Sequence, residues 1–592
     1  MATTTFPIAK PKGGAFLLEQ RQPHEVFTPE DFTDEHRAIG RATAEFFAKE
    51  VAPHLDTIQY EDKSVAVGIM RKSGELGLTG VIIPEKFGGM EMDLTSMMIV
   101  GENIAGDGSY AGWHAAHTGI GTLPILLFGT EEQKAKYLPK LASAEWVGAY
   151  CLSEPQAGSD ALAIKTRAEL SPDGKHYILN GQKMWITNGG YADLYTIFAK
   201  IDGEKFTAFI VERSFPGVQP GAEEKKMGIR GSSTTPIFLD NVKVPVENVL
   251  GEIGRGHIIA FNILNLGRLK LGPLAIGGCK DVIAIAAKYA KERKAFGKTI
   301  SAFGMIQQKL AEMAIRTYIG ESMSYRVVGM IESHLENFSW DAPDAAQTKL
   351  KAVEEYATES SYVKVFASEV LDFVVDEGVQ IHGGYGFHQD YAVERAYRDS
   401  RINRIFEGTN EINRLLATGM LLKRAQRGAL PLVQAVMKLQ NELLSPPELN
   451  LGGPVGPFVA ETKLVENAKK IGLMTLGIAF QKYMTTIDEQ QELLASITDI
   501  MMNAFAMESG LLRAQKIAAS GKNAQNATEM AAVFCREAMD SIEAAAKVAL
   551  ANCQEGDALR MSLAVLKRFA KYEPIDAIKL RRAIHLEPEL GL

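Results

Sequence analysis

The order of residue textures along this chain restricts its fold more than any single motif. A helical stretch is followed by a β-rich stretch and then by helices again, with no alternation of strand and helix. From about Thr28 to Lys140, segments such as DFTDEHRAIGRATAEFFAKEVAPHL and TEEQKAKYLPKLA space apolar residues three and four apart. Between about Val147 and Asn248, short β-branched and aromatic runs (HYILNGQKMWITN, LYTIFAKI, FTAFIVER, IFLDNVKVP) are broken by Gly, Pro, Asp and Asn. Helical spacing returns near His257, in PLAIGGCKDVIAIAAKYAKER and YVKVFASEVLDFVVDEGVQIHG. The expected division is a helical domain over 28–146, a β domain over 147–254, a helical bundle over 255–427 and an appended helical module over 428–592. The Pro/Gly-rich SPPELNLGGPVGP precedes the helices of that module, which break again at AASGKNAQ. A doubly wound sheet requires strand–helix alternation, so a Rossmann unit is not expected. The cluster Gly383-Gly384-Tyr385-Gly386 follows a helical pattern, which leaves it open as a phosphate site or a helix C-cap.

At 592 residues and 46% apolar content the chain exceeds one core and implies several domains or one large composite body. A net charge of −8 gives no basic field for nucleic acid. Cys151, Cys279, Cys535 and Cys553 form no C-x-x-C pair, so neither a disulfide framework nor a zinc site is expected, and a reducing compartment is. No apolar h-region follows the first lysines and no eighteen-residue apolar run occurs, so the expectation is a protein without secretory signal or membrane span, in bacterial cytoplasm or a mitochondrial matrix. His114 and His117 share a helix face without a third ligand nearby, so no metal is expected. Arg395, Arg398, Arg401 and Arg404 read as a helix face anchored by carboxylates.

Four segments, AYCLSEPQAGSD, MWITNGG, ERKAFGKTI and QIHGGYGF followed by RIFEGTNEI, together resemble the acyl-CoA dehydrogenase family over about residues 30 to 425. The C-terminal extension and the LNLGR segment before the third helix are most similar to its very-long-chain branch. The resemblance implies a mainly α fold with a central β domain: an N-terminal helical domain, a middle β-barrel, a C-terminal four-helix bundle and the appended module. It also implies bound FAD. The turn residues of CLSEPQAGSD offer backbone N–H groups and small hydroxyls to a flat polar ring. The resemblance assigns Cys151, Leu152 and Ser153 to the flavin and Ser159 to the acyl-CoA. Trp185, Ile186 and Thr187 form the partner segment, where a Trp covers a flavin face; the alternative is a strand Trp buried in the sheet core. Arg293 and Phe296 match contacts to the pyrophosphate and adenosine half, for which a guanidinium fork is suited. Many relatives place Gln eleven residues after that arginine, where this chain has Gly304. Gln380, Gly383 and Gly384 match an element whose missing side chains let backbone approach a phosphate of the neighbouring subunit's flavin. Asn265 and Arg268 match positions facing the CoA portion, and many relatives have Asp at the first.

Glu407 follows Ile405 and Phe406 and precedes a glycine, so its carboxylate is expected in a partly dry pocket at a turn, where desolvation raises its pKa toward that of a useful general base. For an isolated Glu near a helix start, a surface position would be the default. The resemblance makes Glu407 the base for the α proton of a long fatty acyl-CoA in β-oxidation, Phe406 and Gly408 substrate contacts, and Thr409, Asn410 and Glu411 flavin contacts. It implies trans-2-enoyl-CoA as product and electron-transferring flavoprotein as acceptor. Gly112, Ala115, Ala116, Gly119 and Gly121 line up with the family's acyl-pocket helix, where small side chains leave room for a long tail or serve close helix packing. The C-terminal module matches the region that blocks tetramer formation in the very-long-chain branch, which implies a homodimer. The loop NLGGPVGPFV offers at most weak peripheral membrane contact, because no basic cluster accompanies it. Two rivals stand beside this reading: an acyl-CoA oxidase releasing hydrogen peroxide, and a non-catalytic assembly protein on the same fold. The intact Glu407 and flavin segments favour catalysis.

Overall fold

The computed structural model describes residues 10–444 and 456–584. Most of the loop expected before the appended module, residues 445–455, and with it most of the segment read for membrane contact, lies outside the described residues. No helix among the described residues is long and apolar enough to cross a membrane.

The first helices include α1 (Asp34–Phe46), α2 (Leu94–Asn103) and α3 (Gly108–Ala116). Each begins where a side chain caps it. Thr33 accepts from the His36 amide at 3.2 Å, Asp93 from Ser96 at 2.8 Å and Asp107 from Tyr110 at 3.0 Å. After the last helix of this part ends at Ala142, eight strands follow: β1 (Gly148–Cys151), β2 (Arg167–Leu170), β3 (His176–Thr187), β4 (Leu194–Ile201), β5 (Lys205–Glu212), β6 (Val218–Pro220), β7 (Thr234–Pro245) and β8 (Val249–Leu250). They make one sheet in the order β6-β7-β3-β2-β4-β5-β8, with β1 parallel to β4. The sheet holds a core of its own, including Ala149, Cys151, Leu179, Tyr195 and Phe209, separate from the larger helical core. Alternation along β1 and the residue after it divides the side chains between the two: Ala149 and Cys151 enter the sheet core, Tyr150 and Leu152 the helical one.

Four long helices form the bundle after the sheet: α4 (Gly256–Glu292), α5 (Gly304–Ser333), α6 (Ala357–His382) and α7 (Asn410–Gln426). LNLGR lies inside α4, about two to three turns after its start, and not before it. The appended helices α8 (Val459–Tyr483), α9 (Gln491–Ala519) and α10 (Gln525–Cys553) pack together, and α9 also lies against α5 and α7. The segment preceding α1 is fastened to both bodies. Phe16 packs edge-on against Tyr362 of α6 and Phe505 of α9, and Glu359 accepts from the Gly14 amide at 2.6 Å.

Candidate active site

Between α6 and α7 the chain turns sharply at Glu407 and Gly408, whose φ values are 56° and 82°. Glycine tolerates that left-handed geometry, but a glutamate there is strained and persists only where its surroundings over-determine it. Three consecutive carbonyls of the turn are held from within. Glu407 O accepts from Arg268 Nε at 3.3 Å, Gly408 O from Lys364 Nζ at 2.8 Å, and Asn413 Nδ2 donates to Gly408 O at 2.9 Å and Thr409 O at 3.0 Å. Thr409 caps α7, its hydroxyl accepting from Ile412 N at 3.2 Å.

The strained turn directs the carboxyl group of Glu407 onto Gly267 of α4. A Cβ at position 267 would lie 2.9 Å from the carboxyl carbon and 3.3 Å from Oε1. Oε2 is buried and accepts no hydrogen bond from the described residues. Burial pushes the pKa of Glu407 up to about 7, against the opposing pull of Arg268, Lys364 and Lys270. Lys270 and Lys364 are themselves pushed down to about 7 by burial. The surface position expected of an isolated Glu at a helix start therefore does not apply.

Neighbouring Phe406 lines a cavity of about 90 Å³ together with Ala111, Gly112, Leu274, Ala275 and Gly278. The small residues expected at an acyl pocket divide here. Gly112 lines the cavity, Gly119 lies against Lys270, and Gly121 packs on the backbone of Gly148, where a Cβ would come within 2.8 Å. Arg268, expected to face the CoA portion, is buried, donating to Asn265 Oδ1 at 2.8 Å as well as to the turn. Lys364, Asn413 and Lys270 carried no sequence signal: a lone lysine or asparagine in an amphipathic helix reads as solvated.

The flavin-like segments fall into two groups. In the first, Ser153 O accepts from Met184 N at 3.0 Å, joining CLSE to the strand that carries Trp185, Ile186 and Thr187. The β3–β7 register slips between Lys183 and Ile186, and at this bulge Trp185 takes φ 61° and stands 56% exposed instead of entering the sheet core. Ile186 is buried, as is Cys151, whose thiol burial pushes up to about 12, so neither side chain is open to a ligand. Ser159 is exposed. The second group surrounds a larger cavity of about 750 Å³ lined by Tyr289, Arg293, His382, Gly383, Gly384 and Tyr385. Gly383 ends α6 at φ 61°, so the glycine pair is both a helix C-cap and a cavity wall. Arg293 lies over the Tyr385 ring, 5.4 Å from its centroid. Gln380 is exposed on the last turn of α6, and Phe296 is 94% exposed.

None of Cys151–Ser153 or Trp185–Thr187 lines this second cavity. Asn410, expected against flavin, is buried and saturated within the protein: Oδ1 accepts from Lys364 at 2.7 Å, and Nδ2 donates to Ser368 and Glu369, both at 3.1 Å. Glu411 is exposed beside it. His114 and His117 each bond a backbone carbonyl, of Leu78 at 3.2 Å and Leu141 at 2.9 Å. Of the arginine series, Arg395 pairs with Asp107, Arg398 with Glu394 and Arg404 with Asp372.

The described residues suit a flavin dinucleotide. A projecting indole at a bulge offers a face for a flat ring, and the side-chain-free Gly383-Gly384 wall beside Arg293 suits a pyrophosphate. Models of the N-terminal, middle and C-terminal domains of acyl-CoA dehydrogenase match residues 33–145, 149–242 and 254–421, and a further acyl-CoA dehydrogenase C-terminal domain model matches 467–568. The chain is 49% identical over 573 residues, 96% of each chain, to a probable acyl-CoA dehydrogenase of Bacillus subtilis. It is 36% identical over 566 residues, 90% of this chain and 82% of the relative, to the human mitochondrial very long-chain specific acyl-CoA dehydrogenase. A crystal structure of an acyl-CoA dehydrogenase complexed with FAD from Bacillus anthracis superposes with a TM-score of 0.95 at 48% identity, covering 97% of this chain and 98% of that one. Matched along nearly its whole length by these models and relatives, the chain belongs to the acyl-CoA dehydrogenase family.

Proposed function

We propose that the protein removes the α and β hydrogens of long-chain fatty acyl-CoA with FAD as cofactor, yielding trans-2-enoyl-CoA, and that Glu407 is the base. The observation that carries this reading is the Glu407 carboxyl group, packed on Gly267 with one oxygen unpartnered and its pKa near 7. A thioester α-C–H is a weak acid, so a base of ordinary carboxylate strength would give little driving force for proton transfer; desolvation supplies the missing basicity. Glu407 Oε2 takes the α proton while Phe406 and the small residues beside it seat the chain. FAD, when bound, supplies the two-electron acceptor for the β hydrogen. Cys151–Ser153 and Trp185–Thr187 would hold its ring and Arg293, Phe296, Gln380, Gly383 and Gly384 its adenosine diphosphate half. Because Cys151–Ser153 and Trp185–Thr187 do not line the cavity walled by Arg293, Gly383 and Gly384, we assign the two groups to one cofactor across a homodimer. Electron-transferring flavoprotein is the acceptor the family resemblance supports, and we retain the division 28–146, 147–254, 255–427 and 428–592.

Anaerobic mixing with acyl-CoA tests this directly. Palmitoyl-CoA should bleach the flavin more efficiently than butyryl-CoA, and the reverse order rejects the long-chain assignment. Glu407→Gln should retain FAD yet bleach at least about a hundredfold more slowly, as loss of a general base requires. Release of FMN from the denatured protein would reject FAD.

A further inference from the structure

Lys364 stands about two turns into α6, fully buried, yet no salt bridge to it occurs among the described residues. Burying a lysine ammonium is unfavourable unless its protons are used. Two partners use them: Gly408 O at 2.8 Å and Asn410 Oδ1 at 2.7 Å. The first belongs to the strained turn and the second to the first residue of the helix that follows. Asn413, also fully buried, reaches back from α7 to the same carbonyl and its two neighbours, Glu407 O at 3.4 Å and Thr409 O at 3.0 Å. A left-handed Glu-Gly pair would relax without such support, and relaxation would swing the carboxyl group off Gly267.

We infer that Lys364, seconded by Asn413, is a positioning residue of the reaction: it locks the Glu407–Gly408 turn so that the base keeps its place over Gly267. The inference rests on Glu407 being the base. The bracket acts through hydrogen bonds to backbone, so it sets where the carboxyl group stands without touching the substrate. Lys364 also acts through its charge. Glu407, Glu369 and Glu411 favour its protonated form and Arg268 opposes it, so its removal changes the field on the base as well as its position.

The test uses the full-length holoenzyme. Lys364→Met keeps the chain length and removes the donors. FAD content and affinity for a non-oxidisable acyl-CoA thioether should stay within about threefold of wild type, while the single-turnover bleaching rate with palmitoyl-CoA falls about thirtyfold, in the range that misplacement of a catalytic group by roughly 1 Å produces. The acid limb of the rate profile should move to higher pH, because the lost cation had favoured ionised Glu407. Lys364→Gln, which retains an N–H donor, should recover part of the rate. Asn413→Ala is read by the same criteria and decides the matter if Lys364→Met fails to fold. Bleaching within threefold of wild type with an unmoved limb overturns the inference. Glu407→Gln, run in parallel, separates the two readings: its full activity would sink the base assignment itself, whereas an inactive Glu407→Gln beside a normal Lys364→Met removes only the role of Lys364.

Discussion

One missing methyl group decides whether Glu407, the proposed base, fits. Position 267 lies inside α4, where glycine costs about 0.5–1 kcal/mol relative to alanine, so helix propensity alone favours Gly267→Ala. The Glu407 carboxyl group opposes it, because it occupies the space a Cβ would need. Overpacking costs about 1–3 kcal/mol, which exceeds the propensity gain. Gly267→Ala should therefore lower thermal stability modestly and slow flavin bleaching at least about tenfold by displacing the base; a variant both more stable and fully active would show that the carboxyl group moves freely. The charges around Glu407 set its pH response. Only the ionised form accepts a proton, so kcat/KM should rise with pH through about 7, and Lys270→Met, which removes a cation favouring ionisation, should move that limb upward. Stability runs the other way. A carboxyl group whose folded pKa is raised loses stability as pH climbs from its unfolded value toward about 7, so Glu407→Gln should be the more stable protein at pH 8, by up to about 3 kcal/mol, and should lose that advantage below pH 4. Urea titrations of both proteins at the two pH values check this.

At the scale of elements, the bulge in β3 explains what periodicity misses. Strict alternation along HYILNGQKMWIT is interrupted between Lys183 and Ile186, so a period of two misplaces Trp185 and the indole emerges outward. Texture and order were legible because helical and strand periodicities differ over whole segments, and RIFEGTNEI was legible as a motif. Lys364 and Asn413 were not, since their burial depends on helices brought together from distant parts of the chain. The strap before α1 was equally silent. A short run with Gly13 and Gly14 carries no periodicity, yet Phe16 is 3% exposed between α6 and α9. Phe16→Ala should cost about 3–5 kcal/mol by cavity formation and lost edge-to-face contacts, read as a lower urea midpoint. A cost below about 1 kcal/mol would mean the strap docks loosely.

Across the whole molecule, charge as well as apolar surface ties the appended helices to the bundle. Arg513 of α9 reaches Glu321 of α5 at 2.5 Å, and Glu321 is shared with Lys280 of α4, which also pairs with Glu102 of α2 at 2.6 Å. Nearby, Arg326 of α5 donates to Glu508 at 2.7 Å, and Glu508 pairs with Lys469 of α8. Glu321, Arg326, Glu508 and Arg513 are all buried. A buried ion pair adds little net stability when complete, but removing one partner leaves a charge stranded, at about 3–5 kcal/mol. Deleting residues 428–592 strips Arg513 from Glu321 and Glu508 from Arg326 at once and uncovers the apolar faces of α5 and α7. Those losses rival the entire stability of an ordinary domain, about 5–15 kcal/mol. The truncated protein should therefore aggregate or change its oligomeric state although every flavin segment remains in its sequence, and Arg513→Met alone should lower the urea midpoint of the full chain. A truncated protein that sediments as a soluble dimer of unchanged stability would make the module an independent tethered domain, and sedimentation of the full chain as a tetramer would refute the homodimer.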